Sequence, residues 1–262
     1  MISFSNFSYA IRESPSSIFI YKNFKKEFTV KPPSSCDAIY GGSLLGLRCF
    51  NFLCFYDWNT QTLVRRIDIS PTAVKAFLII QIYWSANGKS VAIVCKDSYY
   101  ILKYDPNALS SYLEQGMEIS ADGIEESLSL VEEVQEFVQS GTWIGDCFIY
   151  TSNNKLCYFI GNSSYIVSHF SSPCFILGYV PRDNRVYLID KEYNIVSYEL
   201  NLIVIEYQTC ILMQEFEKAQ ELLPNISSDQ RNKIAKFLET LSMNCSKLCR
   251  FQGNGVGNNR RS

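Results

Sequence analysis

The sequence predicts a mainly β chain: a partial WD40-type β-propeller, that is an incomplete ring of blades, with an inserted helix, followed by short α-solenoid-like helices. Three observations carry this expectation. From Tyr9 to about Leu200, short runs rich in β-branched and aromatic residues are broken every several residues by Gly, Asn, Asp, Pro or Ser, the punctuation of strands and turns. Comparable strand ends at Tyr21, Trp58, Tyr104, Ile160 and Tyr198 recur at roughly 35 to 55 residues, near the repeat length of propeller blades. Beyond Leu200 the apolar spacing becomes helical.

Taken in order, strands are expected at SIFIYK (from Ser17), LLGLRC (from Leu44), LCFYD (from Leu53), LVRRIDI (from Leu63), SVAIVC (from Ser90) and YYILKY (from Tyr99). The unit FYDWNTQTLVRRI, starting at Phe55, shows the repeat most clearly: an apolar strand ends in an aromatic residue or Asp, a polar turn follows, and a second strand begins. Asn87-Gly88 is expected to form a two-residue hairpin turn with positive φ. Between Asp105 and Gly141 the β pattern breaks, and an insertion is expected at about 106–140. Within it Ile124, Leu128, Val131, Val134, Phe137 and Val138 recur at three- and four-residue spacing, with Glu125, Glu126, Glu132, Glu133 and Glu136 between them, which predicts an amphipathic helix begun at Asp122-Gly123. Strands then resume at Cys147, Leu156, Tyr165, Phe175, Arg185 and Ile195. The apolar run LIVIEYQTCILMQEF, from Leu202, predicts a helix buried against the β body and continued to Leu223, where Pro224 stops it. Ser227 or Ser228 is placed to cap a further helix through Ile234 and Leu238, and the Gly/Asn/Ser-rich end from residue 241 to residue 262 is expected to be disordered.

Composition narrows the chemistry. A formal charge of −2 over 262 residues gives no global attraction to nucleic acid or anionic lipid, and the pairs Lys25-Lys26 and Arg65-Arg66 read as isolated turns or strand ends. The ten cysteines never occur as CxxC, and nearly all lie in apolar runs, where Cys behaves as a small hydrophobe; they are expected to be reduced cytosolic thiols. Cys245 and Cys249 form a C-x3-C pair with no second pair or histidine beside them, so no zinc site is expected. The most hydrophobic run, AFLIIQI from Ala76, is too short to span a bilayer.

The single histidine, His169, lies in SYIVSHF without a nucleophile motif, and Asp57, Asp97, Asp146, Asp183 and Asp190 fall at separate strand ends and turns, where Asp serves the backbone. Neither GxxxxGK[ST] nor GxGxxG occurs. The stretch TWIGDCFIYTSNNKLCYFIG, from Thr142, looks reactive, but it reads as two strands, Trp143 to Thr151 and Leu156 to Ile160, about a turn at Ser152 to Lys155. Cys147 and Cys157 are then strand residues, and Asp146 serves the start of its strand. No catalytic, cofactor-binding or metal-ligating residue is assigned, and no cofactor is expected.

Long stretches match one known pattern. DGIEESLSLVEEVQEFVQSGTWIGDCFIYTS from Asp122 and LGYVPRDNRVYLIDKEYNIVSYEL from Leu177 carry it best, supported by YAIRES at Tyr9, YGGSLLGLR at Tyr40, FYDW at Phe55, YILKY at Tyr100 and LLPNISSDQRNKIAKFLE at Leu222. In order and spacing the chain resembles the coatomer β-prime subunit family of the COPI vesicle coat, from Tyr9 to Glu239. The resemblance implies part of the second of two WD40-type propellers over residues 1–200 and the start of an α-solenoid over 201–240. It implies a non-catalytic scaffold in Golgi-to-ER retrograde and intra-Golgi vesicle transport, with the other coatomer subunits, especially alpha and epsilon, as partners. Association with Golgi and vesicle membranes would be peripheral, on the cytosolic side and through the coat, with no nucleic acid and no small-molecule substrate. The family's dilysine cargo site belongs to the first propeller, so no cargo-binding residue is carried over. TAVKAFLIIQ (72–81) and the tail from Thr240 have no counterpart in the pattern and are expected to derive from non-coding sequence in a truncated or incompletely spliced product. The alternative functions are a generic propeller that binds peptides as a regulator, and a truncated product without independent function. An incomplete ring leaves faces uncovered, so the chain is expected to be prone to aggregation when alone.

Overall fold

A computed structural model describes residues 8–50, 52–68, 79–160, 163–212 and 214–241 apart from 229, 233 and 240, together with the backbone of Ile2–Ser5. Five antiparallel sheets follow one another along the chain. The first is β1 (Ile2–Ser5), β2 (Ser8–Ser14), β3 (Ser17–Lys22) and β4 (Lys25–Val30). The second is β5 (Cys36–Tyr40), β6 (Leu45–Cys49), β7 (Phe52–Tyr56) and β8 (Leu63–Asp68), and the third is β9 (Gln81–Trp84), β10 (Ser90–Val94), β11 (Tyr99–Tyr104) and β12 (Leu128–Val134). The fourth is β13 (Ser140–Ile144), β14 (Cys147–Ser152), β15 (Lys155–Ile160) and β16 (Ser163–His169), and the fifth has β17 (Cys174–Val180), β18 (Arg185–Asp190) and β19 (Ile195–Glu199). Each sheet is a meander in chain order, so every strand pairs with its neighbours in sequence.

Two compact units result, Met1–Tyr179 with Val186–Tyr198, and Val180–Arg185 with Glu199–Ser262. In the first unit the sheets stack face to face, and alternate residues of one strand enter different cores. On β7, Leu53 and Phe55 join Val91, Ile93 and Leu102 of the third sheet, while Phe52, Cys54 and Tyr56 join Ala10, Ile18 and Ile20 of the first. On β10, Val91 and Ile93 face the second sheet, whereas Ala92 and Val94 meet Phe148, Tyr150 and Phe159 of the fourth. All five residues of β7 and all six of β14 are therefore buried, and each large apolar side chain so covered contributes about 1.5–3 kcal/mol. First strands lie side by side, β1 by β5 and β9 by β13, and the Ile176 N–H of β17 donates to Ser140 Oγ of β13 at 2.8 Å. These are propeller contacts, and the expected mainly β, WD40-type architecture is borne out.

The structure corrects four local expectations. Residues 124–138 are not a helix: Glu125–Ser127 makes one 3-10 turn, and Leu128–Val134 is strand β12 on the edge of the third sheet. A bulge explains the false periodicity. Val131 falls between Leu130, paired with Leu102, and Glu132, paired with Ile101, so one extra residue breaks the period of two. Leu128 enters the second-sheet core while Val131 and Val134 face the fourth sheet, and Leu130 is exposed; a helix would have put the first three on one face.

The helix of this insertion lies earlier, as α1 (Pro106–Glu114), with Asp105 accepting from the Asn107 N–H, Pro106 in the first turn, and Gly116 at φ +64 just past the Gln115 C-cap. Asn87-Gly88 does not form a two-residue turn: Trp84 pairs with Val91, the Ser85 N–H donates to Ser90 O, and of the Asn-Gly pair it is Gly88 that has positive φ. Trp143 to Thr151 is a hairpin rather than one strand, since Ile144 pairs with Cys147 about Gly145-Asp146, with Gly145 at φ +58. The helix expected to run from Leu202 to Leu223 is broken into α2 (Leu202–Leu212) and α3 (Phe216–Leu222), with Gln214 left-handed at φ +61. In this second unit Val204, Tyr207 and Cys210 of α2 pack with Ala219, Ile226 and Ile234. Helical residues continue at 228–241 apart from 229, 233 and 240. Of the two segments expected to lack a family counterpart, residues 72–78, 240 and 242–262 lie outside the described residues, while Ile79 is buried in the core shared by the second and third sheets.

The insertion between β11 and β12 crosses to the neighbouring sheet. Gly123 bridges Arg65 on the edge strand β8, the Arg66 N–H donates to Asp122 O at 2.9 Å, and the Ile124 N–H donates to Val64 O at 2.8 Å. Ser127 Oγ also donates to Val64 O, and Arg65 and Arg66 face Glu125 and Asp122 at 3.8 and 3.9 Å. Gly123 sits at φ +80, and a Cβ there would stand 2.5 Å from Val64 O. Gly123→Ala is expected to lower stability by about 2–4 kcal/mol, and Gly116→Ala, with open space around it, by about 1 kcal/mol. Denaturant titration of both variants measures the difference, and equal losses would sink the assignment of a close backbone approach at Gly123.

Candidate functional site

Chemistry-bearing side chains are spread through the sheets. The eight described cysteines are all free and buried. Cys147 and Cys157 lie on β14 and β15, and burial pushes both thiols up, Cys157 to about 11. Burial likewise moves Cys36 to about 11, and Cys54 and Cys95 to about 12. A thiol so raised stays protonated at neutral pH and is a poor nucleophile or ligand. Cys245 and Cys249 lie outside the described residues. His169 is exposed at the end of β16, its backbone paired with Lys155.

The aspartates lie in turns, and Asp57 and Asp190 bond the backbone there, whereas Asp146, expected to serve the start of its own strand, instead meets a side chain of another loop. Asp57 accepts from the Asn59 and Thr60 N–H groups at 2.9 and 2.8 Å, and Asp146, in the Gly145-Asp146 turn, accepts from Asn87 Nδ2 at 3.1 Å. Asp190 accepts from the N–H groups of Glu192 and Asn194, and the bonds from Asn194 hold its carboxyl below the usual carboxylate value. Asp97 lies exposed in the turn between β10 and β11, and Asp183 in the 3-10 turn Pro181–Asp183. Among the described residues no three His, Cys, Asp or Glu side chains come together as a metal site.

Two places do bring functional groups together. The first is a cleft of about 730 Å³ between the second and third sheets, lined by Leu53, Ile67, Ile93, Leu102 and Leu130. Its polar rim is already paired: Arg65 faces Glu125, and Glu133 accepts from Tyr100 Oη at 3.0 Å. This cleft was not legible in the sequence, because the insertion forms its wall by pairing with a strand some sixty residues away. The second is the aromatic layer between the third and fourth sheets, which absorbs the stretch beginning at Thr142. Tyr99, Phe148, Tyr150 and Phe159 meet at ring separations of 5.1 to 6.1 Å. Tyr150 Oη donates to Glu136 at 2.6 Å, Tyr99 Oη lies 3.2 Å from Ser164 Oγ, and Trp143 Nε1 donates to Tyr83 O at 2.9 Å. A Cβ at Gly141 would come within 2.6 Å of the Phe148 ring, which accounts for the glycine. Such a layer packs and orients sheets, and burial raises the phenols of Tyr99 and Tyr150 above their ordinary value.

Comparison with known proteins decides what these sheets belong to. Residues 2–190 match the family profile described as the COPA/B second beta-propeller. The chain belongs to the COPA/B second beta-propeller family. A second profile, the COPA/B TPR domain, matches residues 207–249 and so carries the family pattern past Glu239, where the sequence resemblance ended. The chain is 44% identical over 232 residues to human coatomer subunit beta′, and 41% identical over 241 residues to coatomer subunit beta′-1 of Arabidopsis thaliana. These matches cover 88% and 91% of this chain and 25% of each relative. Among solved structures, Hsv2 of Kluyveromyces lactis superposes with a TM-score of 0.51 at 10% identity, over 75% of this chain and 58% of that one. That likeness concerns the fold alone. The coatomer β-prime resemblance read from the sequence is borne out.

The buried phenols and thiols of this COPA/B propeller give a pH prediction. Burial raises Tyr99, Tyr56 and Tyr104 from 10.0 to about 12, and Cys54 and Cys95 from 9.0 to about 12. Above the unfolded values the unfolded chain loses protons that the folded chain keeps, so stability must fall as pH rises. Denaturation midpoints are expected to be flat from neutral pH to about 8 and to drop continuously towards about 12. A midpoint unchanged across that window would contradict the buried placement of these groups.

Proposed function

We propose that the chain acts as a non-catalytic scaffold piece of the COPI coatomer coat, in Golgi-to-ER retrograde and intra-Golgi vesicle transport. The observation that carries this reading is the order of the two family matches, second propeller and then TPR domain, within one chain. In this reading residues 1–200 are part of the second propeller, with the atypical insertion at about 72–81, residues 201–240 begin the α-solenoid, whose family match runs on to residue 249, and the atypical tail is confined to residues 250–262. Its partners are other coatomer subunits, alpha and epsilon above all, and it reaches Golgi and vesicle membranes peripherally, from the cytosol, through that coat. Neither a cofactor nor a catalytic residue takes part.

Two physical features support a scaffold. The large side chains of the sheets are consumed in joining sheet to sheet, and the carboxylates of Asp57 and Asp190 are consumed in turns. What remains for a partner is surface shape. No helix among the described residues is long and apolar enough to cross a membrane, which suits peripheral attachment.

Purified chain mixed with recombinant alpha and epsilon subunits tests the proposal. Comigration on size exclusion with either subunit is expected. A chain that is folded by circular dichroism yet elutes apart from both would overturn it.

A further inference from the structure

The hairpin joining β3 to β4 carries an unusual turn. Lys22 pairs with Lys25, so the loop is the two residues Asn23-Phe24, and both have positive φ, at +49 and +62. That backbone suits Asn followed by Gly, because a Cβ in the left-handed region crowds the carbonyl that follows. Here the second residue is a phenylalanine, and its side chain is 89% exposed. Its ring leans only loosely on Tyr9, 6.1 Å away and tilted by 54°. The turn thus accepts backbone strain in order to hold a large apolar ring out in water, which is a combination found at functional positions.

The charges around the ring share one sign. Lys22, Lys25 and Lys26 flank it against a single Glu27. Lys22 is held by Asn59 Oδ1 at 3.0 Å and by Glu27 at 3.7 Å, so Glu27 is neutralised locally and Lys25 and Lys26 remain exposed. The Lys26 ammonium stands 3.0 Å from the centroid of the Phe19 ring, on the hairpin itself. Two other rings among the described residues are as exposed but lack this setting. Phe50 follows Arg48, whose guanidinium is taken up by Asp37, and Tyr193 sits among Asp190, Lys191 and Glu192.

We propose that the Asn23-Phe24 hairpin tip is a membrane-contact site for anionic lipid surfaces, with Phe24 entering the interfacial layer and Lys25 and Lys26 lying against the headgroups. A convex tip bearing one ring needs no matching pocket in a bilayer, whereas a protein partner would have to supply one. Aromatic rings favour the depth at which headgroups meet acyl chains, and lysine stems reach back from it to the phosphates. The attraction is local: the chain as a whole carries −2, and at physiological salt the lysines act over about 8 Å. The site stands apart from the coat reading, because it needs no other subunit.

Flotation of the purified chain with vesicles tests it. Wild type is expected to float with phosphatidylcholine vesicles containing about a third phosphatidylserine, and not with phosphatidylcholine alone. Phe24→Gly relieves the turn, so this variant should melt no lower than wild type, while its partition to anionic vesicles falls about tenfold. Lys25→Gln is expected to cost about fivefold. Phe24→Trp adds a local reporter, whose emission should shift to the blue with anionic vesicles and stay unshifted with neutral ones. Wild type that ignores anionic vesicles, wild type that binds neutral ones equally, an undiminished F24G variant, or an unshifted F24W variant would each overturn the proposal.

Discussion

The second and third sheets each have to satisfy two neighbours at once, and this constraint organises the rest. A strand such as β7 sends Leu53 and Phe55 one way and Cys54 and Tyr56 the other, and neither set faces water. The requirement explains why cysteine is so common in these strands. A side chain wedged between two sheets must be small or flat, and Cys is apolar enough to be buried without a partner. It also explains where the carboxylates stand. Where both faces of a sheet are dry, an ionised Asp is tolerated at strand ends, where backbone N–H groups such as those of Asn59 and Thr60 meet it.

The same constraint governs how much of the fold was legible in the sequence. Strands covered on both faces lose the alternation of polar and apolar residues and read as continuous apolar runs, so β7, β10, β11 and β14 announce themselves. The first strands of the blades do not. CDAIY of β5, QIYW of β9 and SGTWI of β13 are short, and each mixes polar residues into the run, because one end of each strand meets solvent or a neighbouring first strand. Strand β12 misled for a definite reason: its bulge at Val131 places apolar residues three apart, the spacing of a helix. The true helix, α1, had a sequence signal in Asp105-Pro106, a capping side chain followed by a residue suited to the first turn.

Functional surfaces were harder to read than the fold. Lys25-Lys26 looked like an isolated pair, since nothing in one dimension shows that Phe24 stands at the apex between Lys22 and Lys25 with both turn residues left-handed. The cleft between the second and third sheets has the same origin, being formed by residues far apart in sequence such as Ile67 and Leu130. By contrast, the stretch from Thr142 to Gly161 was legible as structure because its two Cys and its aromatic rings fall into apolar runs about the Asn153-Asn154 turn, with Asn153 at φ +50.

The segment that leaves β11, forms α1 and then pairs with β8 before returning as β12 has a thermodynamic consequence. In most propeller-like stacks a sheet can detach from its neighbour by losing side-chain contacts alone. Here separation of the second and third sheets would also break main-chain hydrogen bonds at Val64 and Arg66 and expose them within an otherwise closed strand edge. The two sheets are therefore coupled through the main chain as well as through side chains, and amides at their seam are expected to exchange through a common opening. A long connection that looks like an excursion from the propeller is its most cooperative joint.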